Sequence, residues 1–579
     1  MSQQKHDLFA HRKTAIMPNH WDLLALLLVF CLILIFTINA RSMDAPYRLG
    51  QALPISLSYK MLPTYAGQTV SRMLIALVFS LLFTFIFGTW AAKNKRAEKI
   101  IIPFVDVMQS VPILGFLAIS VVAFIKIFPN SLLGPQCACI FVIFTSQAWN
   151  MVLGFYQTIK TVPHDLREAA DMLHLSAWQR FWRIEVPFSM PGLLWNTMMS
   201  MSAGWFFVVA SEAISVAHQT ILLPGIGSYI AVAIDKADMQ AVTYAIIAMF
   251  CVILLYDQIL FRPLVAWAEK FKAEQEGGEL EAHSWLATML KRTRLLQWIG
   301  SWLAIALDAM VNFRVPRRKT YLKPVLPAGV GDRIANIFWW TFLSVFAALT
   351  LHFLVKVIGP ALTWHEVGHV MLLGLFTGIR VIILIILCTI VWVPIGVWIG
   401  LRPRAAEIIQ PIAQFLAAFP AYLLFPVVVM MIMRYHLNVE IWTAPLMILG
   451  TQWYILFNVI AGVSVLPKEL HYATENFNVR GWLWWSRFIL PGIFPYYITG
   501  AITAAGGAWN ASIVAEVVTW GHTTLRATGL GAYIAKYTTE GDFSRIALGI
   551  AAMCVFVLLL NHFLWRPLYV LAEKKFQLD

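Results

Sequence analysis

Charge is scarce in this chain. Only 13% of its 579 residues are Asp, Glu, Lys or Arg, about half the share of an ordinary soluble protein, which excludes a water-solvated globule of this size. Cysteine is scarce too, with six residues. Cys31, Cys251, Cys388 and Cys554 fall within apolar runs, where a thiol behaves as a small buried hydrophobe. Cys137 and Cys139 form a CxC, which is not a zinc spacing, so no metal is assigned. No GxxxxGK[ST] loop for cradling nucleotide phosphates occurs anywhere. The chain is therefore not its own ATPase, and no cofactor is expected in it.

Apolar surface is what the chain has in excess. It is 60% hydrophobic, with 24 tryptophans, and its mean hydropathy is +0.72. Runs long enough to cross a bilayer, about 20 residues each, lie near 22–38, 73–92, 100–125, 137–156, 191–214 and 243–266. A second set lies near 335–358, 381–401, 408–433, 440–461, 495–518 and 546–565. Lipid offers the backbone no hydrogen bonds, so all twelve are predicted as helices. The first run is too long for a signal-peptide core and no small-residue cleavage site follows it, so it reads as an uncleaved helix. Counting from a cytoplasmic N-terminus puts Lys93, Lys95, Arg96, Lys99, Arg402 and Arg404 inside, as the positive-inside rule requires, and brings the C-terminus back to the cytoplasm. The net charge of +13 is thereby explained without nucleic acid.

The chain also repeats itself. At an offset of 304, Pro163 meets Pro467, Trp178 meets Trp482, Arg183 meets Arg487, Pro187 meets Pro491, Trp205 meets Trp509, Glu212 meets Glu516, His218 meets His522, and Gly225 and Gly227 meet Gly529 and Gly531. Upstream the offset becomes 308, pairing Arg72 with Arg380, Gly88 with Gly396 and Pro112 with Pro420. Repeats of this period mark duplicated structural units. The chain divides into a first half, 1–271, with an N-terminal helix and a core from about 65, a linker, 272–333, and a second half, 334–579. The linker stretch 295–313 is apolar enough to suggest a thirteenth span. One extra crossing would turn the second half upside down, so this stretch is predicted to be a helix lying along the cytoplasmic interface, its flanking basic residues suited to anionic lipid.

Two charged stretches interrupt the apolar pattern at matching places, 167–187 and 471–491. Each reads as helix, break, helix, with the break at His174 and at Asn478, residue types that tolerate a left-handed backbone. A lone stretch of this kind is an amphipathic surface helix; two copies at one offset on one face imply a shared docking role. Glu168, Ala169 and Ala170, followed after the break by Ile184, Val186 and Pro187, resemble the EAA signature of ABC importer permeases. In the second copy Tyr472, Ala473 and Thr474 lead to Leu490 and Pro491, and the glutamate is gone. Both copies also depart from the signature at the turn, where that family has glycine. Trp509, Ala515, Glu516, Gly529 and Gly531, repeated as Trp205, Glu212, Gly225 and Gly227, resemble the nitrate, sulfonate and taurine type. The resemblance covers about 65–270 and 370–576. It implies an all-α membrane fold of about twelve helices in two parallel six-helix repeats, of type I importer permease architecture, and coupling of the two loops to cytoplasmic ATPases. It also implies two ATPase subunits carrying ATP and Mg, a periplasmic or lipoprotein substrate-binding protein, and a small, anionic solute passing between the halves.

Arg72, Trp205, Glu212 and His218, with Arg380, Trp509, Glu516 and His522, are candidates for the solute path or gate. Arg72 and Glu212 both fall at the outer edge of their spans, as do Arg380 and Glu516, and charges at that depth are commonly paired. The tryptophans serve equally well as interface anchors, and the four glycines read as backbone turns outside the membrane. An ion-coupled secondary transporter with parallel repeats is the alternative; its acidic candidates Asp106, Asp257 and Glu212 lie near span ends rather than at the midplane. A membrane-embedded enzyme would need a cluster of catalytic groups within the spans, and none is found.

Overall fold

A computed structural model describes residues 53–216, 219–268, 285–312, 355–361 and 363–576, with isolated helical positions elsewhere. The first half runs α1 (Tyr59–Lys93), α2 (Lys95–Ser110), α3 (Ile113–Ile127), α4 (Leu133–Lys160), α5 (His164–Met172) and α6 (Ala177–Glu212). A hairpin of β1 (Ala213–Val216) and β2 (Gln219–Leu222) follows, then α7 (Ile226–Asp235) and α8 (Met239–Ala268). In the linker lie α9 (Trp285–Arg292) and α10 (Arg294–Val311). The second half repeats the order: α11 (Trp364–Gly400), α12 (Pro403–Ala418), α13 (Ala421–Arg434), α14 (Val439–Ile448), α15 (Trp453–Ser464), α16 (Lys468–Asn476) and α17 (Gly481–Ala515). Then come β3 (Val517–Trp520), β4 (Thr523–Arg526), α18 (Leu530–Glu540) and α19 (Phe543–Ala572).

Seven of these helices are long and apolar enough to cross a membrane, and nine spans result if each of two bent pairs is one span, among the described residues. The run expected near 22–38 lies almost wholly outside the described residues, whereas the described positions of the run near 335–358 are helical, including 339–341 and 355–358. The structure corrects the expectation of unbroken spans: the run at 440–461 is split into α14 and α15, bent by 46°, and two more runs are broken at prolines. The run at 100–125 is two helices, α2 and α3, and its counterpart α12 and α13 meets at 77°. Proline causes both breaks. Pro112 and Pro420 crowd the preceding residue out of helical conformation, and Val111 (ψ 138°) and Phe419 (ψ 125°) are extended. The second correction is that helix does not fill the turns after α6 and α17. Two antiparallel hairpins stand there, pairing Ala213 with Leu222 and Val517 with Arg526. Their strands carry β-branched residues such as Ile214, Val216 and Thr220 in one and Val517, Val518 and Thr519 in the other, which suit a pleated ribbon.

Proline also leaves its mark inside the long helices. Wide, π-type turns sit at Phe181–Glu185 and Trp485–Ile489, and at Asp257–Phe261 and Asn561–Trp565. Each is followed two residues later by a proline, Pro187, Pro491, Pro263 or Pro567. Proline lacks an N–H and its ring clashes with the carbonyl four residues back; widening the turn before it moves that carbonyl aside.

The halves pack against each other through α3, α17 and their neighbours. The Ile113 N–H donates to Asn510 Oδ1 at 2.5 Å, Phe250 meets Phe415 edge to face at 4.6 Å, and the Gly521 N–H donates to the Ile234 carbonyl at 2.8 Å. Viewed along the long helices, the hairpins cluster at one end of the bundle and α5 and α16 at the other. Helix α10 lies beside the first of these loops: Trp178 Nε1 donates to the Met310 carbonyl at 3.0 Å, and Arg183 to Asn312 at 2.8 Å and Asp308 at 3.3 Å.

The start of α7 and α18 is pressed onto the last turn of α6 and α17. A Cβ on Gly227 would lie 2.2 Å from the Val209 carbonyl oxygen, and one on Gly531 2.3 Å from that of Ser512. These glycines therefore serve close backbone approach. Gly227→Ala and Gly531→Ala should each destabilise the protein by about 1–3 kcal/mol, the usual cost of overpacking. Gly368→Ala, where a Cβ meets nothing within 4 Å, should leave thermal unfolding in detergent unchanged.

Candidate functional site

At the hairpin end each half buries an arginine–glutamate node. Arg72, on α1, and Glu212, at the end of α6, are both 0% exposed, with Nη1 2.5 Å from Oε1. Isolated, either charge would cost several kcal/mol in so dry a place, and each is therefore surrounded. Arg72 Nε donates to Gln136 at 2.6 Å and Nη2 to the Pro224 carbonyl at 2.7 Å. Glu212 accepts from the Thr69 hydroxyl at 2.7 Å and the Gly227 N–H at 2.6 Å. The Ile226 N–H closes the circuit onto Thr69 Oγ1 at 3.1 Å.

The second half builds the node again with one altered charge. Arg380 Nη1 lies 3.1 Å from Glu516, Thr377 donates to Glu516 at 2.8 Å, and the Leu530 N–H donates to Thr377 at 2.9 Å. Where the first half has Gln136, the second has Glu440, at the 304 offset, and Arg380 bridges both carboxylates. Arg380 is 14% and Glu440 43% exposed, and Glu440 is held by the Thr528 N–H at 2.9 Å and hydroxyl at 2.7 Å. The first node is neutral and sealed; the second carries one net negative charge and reaches solvent. Thr69, Thr377, Gln136 and Glu440 were not singled out in the sequence, although their offsets of 308 and 304 carry the signal. Gly225 and Gly529, read as turns, are extended residues that leave room for the carboxylates: a Cβ would stand 2.3 Å from Glu212 Oε2 or 2.2 Å from Glu516 Oε1.

The opposite end carries the two loops. His174 (φ 51°) and Asn478 (φ 54°) are left-handed. The following N–H groups, of Leu175 and Val479, reach back to Ala170 and Thr474, while His174 and Asn478 bond Asp171 and Glu475, the double closure that ends a helix on such a residue. Ala170 is buried, whereas Glu168, Ala169 and Tyr472 are exposed and Ala473 and Thr474 half-buried. Glu168 meets His164 at 3.1 Å. The tips present apolar side chains to solvent, Leu173 at 71% and Phe477 at 81%. Pro187 and Pro491 lie beyond the loops, near the start of the long helices, each after its wide turn.

Between the halves lies a cavity of about 990 Å³. It extends from Ile113, Trp509 and Asn510, deep toward the hairpin end, to Arg566 and Tyr569 on the last third of α19. The two candidate tryptophans part company here. Trp509 lines the cavity and stacks with Phe556 at 6.2 Å, whereas Trp205 is buried in the first half against Tyr256 at 5.3 Å. His522 is exposed at the second hairpin's tip; His218 lies outside the described residues.

Two copies of one helical unit, tied at one end and enclosing a cavity that reaches toward the other, describe a solute-conducting membrane permease. The chain belongs to the binding-protein-dependent transport system inner membrane component family, which matches it twice, over 84–262 and 392–575, so two permease halves of the ABC importer type are joined in one polypeptide. It is similar to the bicarbonate transport system permease CmpB of Synechococcus elongatus, 22% identical over 32% of this chain and 60% of that one. Other relatives are the nitrate import permease NrtB of Leptolyngbya laminosa, 27% identical over 27% and 52%, and the glycine betaine/proline betaine permease ProW of Escherichia coli, 26% identical over 33% and 50%. The chain spans about half to three fifths of the length of these relatives.

Removing one partner of a buried ion pair costs about 3–5 kcal/mol because the other is stranded. Arg72→Ala should approach that loss. Arg380→Ala should cost clearly less, since water reaches Glu440. Denaturation of both purified variants measures the difference.

Proposed function

We propose that this chain is the membrane-spanning subunit of an ATP-driven importer that moves a small, anionic solute of the nitrate, sulfonate or taurine kind. The observation that carries the reading is the pair of loop helices, α5 and α16, repeated at one offset, ended alike by a left-handed residue and tipped with exposed Leu173 and Phe477. Solvent-facing apolar tips on ordered helices suit docking into a groove of a partner. The partners are two ABC ATPase subunits, which bring ATP and Mg. The loop end then faces the cytoplasm, along with both termini, and the hairpin end faces a periplasmic or lipoprotein binding protein that delivers the solute.

The mechanism follows from the way the parts are joined. Closure of the ATPases on ATP draws α5 and α16 together. Each loop helix is continuous through its left-handed break with α6 or α17, and these long helices line the cavity through Ser200, Ser202, Phe206, Gly506 and Asn510. Moving them as rigid bodies closes the cavity at the loop end and opens it at the hairpin end, one of the two-state transitions open to packed helices. The arginine–glutamate nodes brace the hairpin end of each half, so the change falls between the halves rather than within them.

Purified without partners, the chain should hydrolyse no ATP; prepared gently from its membrane, it should bring an ATPase with it. Leu173→Asp and Phe477→Asp should each lower ATPase copurification at least tenfold, because a buried unpaired carboxylate at a docking centre costs more than about 1.4 kcal/mol. Glu168→Ala should uncouple hydrolysis from transport more than Tyr472→Ala, since only the first loop keeps the acidic residue. Copurification and transport-coupled ATP hydrolysis measure these effects; hydrolysis by the chain alone would overturn the reading.

A further inference from the structure

The linker helix α10 is held at both ends, and by the same end of the bundle. Before it, α9 rests on the last third of α8: Leu286 and Met289 are buried and pack with Ile259. The buried Thr293 hydroxyl donates to the Met289 carbonyl at 2.7 Å, where the chain turns into α10. At its far end Asp308, Met310 and Asn312 bond Arg183 and Trp178, at the base of α6. Helix α10 has 18 residues, which span about 27 Å at about 1.5 Å per residue. A helix of that length with both ends at the loop end of the bundle lies across that end and does not cross the bilayer.

Its side chains are sorted to match. At about 3.6 residues per turn, Gln297, Ser301, Asp308 and Asn312 fall within about 60° of one another around the axis, and two members of this stripe, Asp308 and Asn312, grip Arg183. Trp298, Trp302, Ile305, Leu307 and Met310 lie outside the stripe and are all exposed. A wide apolar face beside a narrow polar stripe is the pattern of a helix lying in a membrane interface, where tryptophan is enriched. The sequence frames the helix with KRTR at 291–294 and RVPRRK at 314–319, against a single acid between them, Asp308. The second loop lacks this partner. Trp482 is 76% exposed where its equivalent Trp178 is 42%, and Arg487, equivalent to Arg183, makes no ion pair among the described residues.

We infer that α10 is a clamp seated on lipid: its apolar face occupies the anionic surface of the leaflet at the loop end while Asp308, Asn312 and the Met310 carbonyl hold Arg183 and Trp178, so that the membrane surface restrains the first loop and not the second. A helix docked on a protein turns its apolar face toward that protein. Here the polar stripe meets the protein and the apolar face is turned away, as lipid requires, and the basic flanks complement anionic headgroups. The restraint reaches the docking tip because α5 is joined to Trp178 and Arg183 through the left-handed His174 and the neighbouring Leu173. Contacts between exposed charges are weak, so the clamp biases the loop without locking it. The seat stands on the linker's own residues; its effect on ATP hydrolysis rests on the importer reading.

The assembled transporter in nanodiscs of phosphatidylcholine, with and without phosphatidylglycerol, tests both parts. Nitroxide labels at Trp302→Cys and Ser301→Cys, with the native cysteines replaced, report depth. In anionic discs the label at 302 should be relaxed mainly by oxygen, which concentrates in lipid, and the label at 301 mainly by a nickel chelate, which stays in water. Both labels favouring the chelate, or the label at 302 shielded from both reagents as it would be beneath a protein partner, would overturn the seat. ATP hydrolysis without solute should be about threefold slower in anionic discs, a factor of the size that an exposed charged contact supplies. Arg183→Ala, and separately Asp308→Ala combined with Asn312→Ala, should remove that difference, whereas Arg487→Ala should keep it. Hydrolysis equal or faster in anionic discs, a difference that survives both clamp variants, or one that Arg487→Ala removes as well, would overturn the clamp. If no ATPase accompanies the chain, the importer reading fails while the labels still report the seat.

Discussion

A charge buried in an apolar bundle must have every partner at hand, and the Arg72 and Glu212 pair shows what that demands of the surrounding chain. To satisfy two side chains, α1 supplies Thr69, α4 supplies Gln136, the segment before α7 supplies the Pro224 carbonyl and α7 itself the Gly227 N–H. Three separate segments, α1, α4 and the start of α7, are thereby fixed to the end of α6. The glycines at 225 and 227 follow from the same demand, since any side chain there would occupy the place of the carboxylate or of the Val209 carbonyl. The hairpin that leaves α6 starts from a rigid point, and the long helix below it can move as one body. Repetition of the node around Arg380 makes the second half a similar body, though a more open one.

The large-scale plan was legible in the sequence because it rests on patterns that survive duplication. Pro163 and Pro467, Trp178 and Trp482, Arg183 and Arg487 share one register, and proline and arginine have conformational and solvation demands that cannot be met just anywhere. The breaks at His174 and Asn478 were readable for the same reason. The splits after Val111 and Phe419 were less so: Pro112 and Pro420 stood out as a matched pair, but a run of apolar residues on both sides hides a bend, since hydropathy carries no direction. The hairpins were missed because strands of four residues between long helices leave almost no periodic signal.

The site was legible only in part. Arginine and glutamate are conspicuous at a span edge, and the structure brings Arg72 to Glu212 and Arg380 to Glu516. Their neutral neighbours Thr69, Gln136 and Thr377 look like ordinary helix residues until the fold brings them in, and only comparison across the 304 offset shows that Gln136 has become Glu440. Trp205 and Trp509 are equivalent in sequence and unlike in surroundings: one is packed behind Tyr256, the other faces the cavity. The halves have thus diverged most where they meet the cavity and least where they hold themselves together.

The proposed mechanism requires that movement of the loop helices reach the cavity, and the distance between the two loops during the ATP cycle tests this most directly. Thr161 and Val465 are exposed, equivalent at the 304 offset, and stand just before α5 and α16. Spin labels on cysteines at these positions, in the assembled transporter with its native cysteines replaced, report that distance by pulsed electron resonance. A shift to shorter distance when a non-hydrolysable ATP analogue binds is the predicted result. An unchanged distance, in a complex that binds the analogue and carries solute, would contradict it.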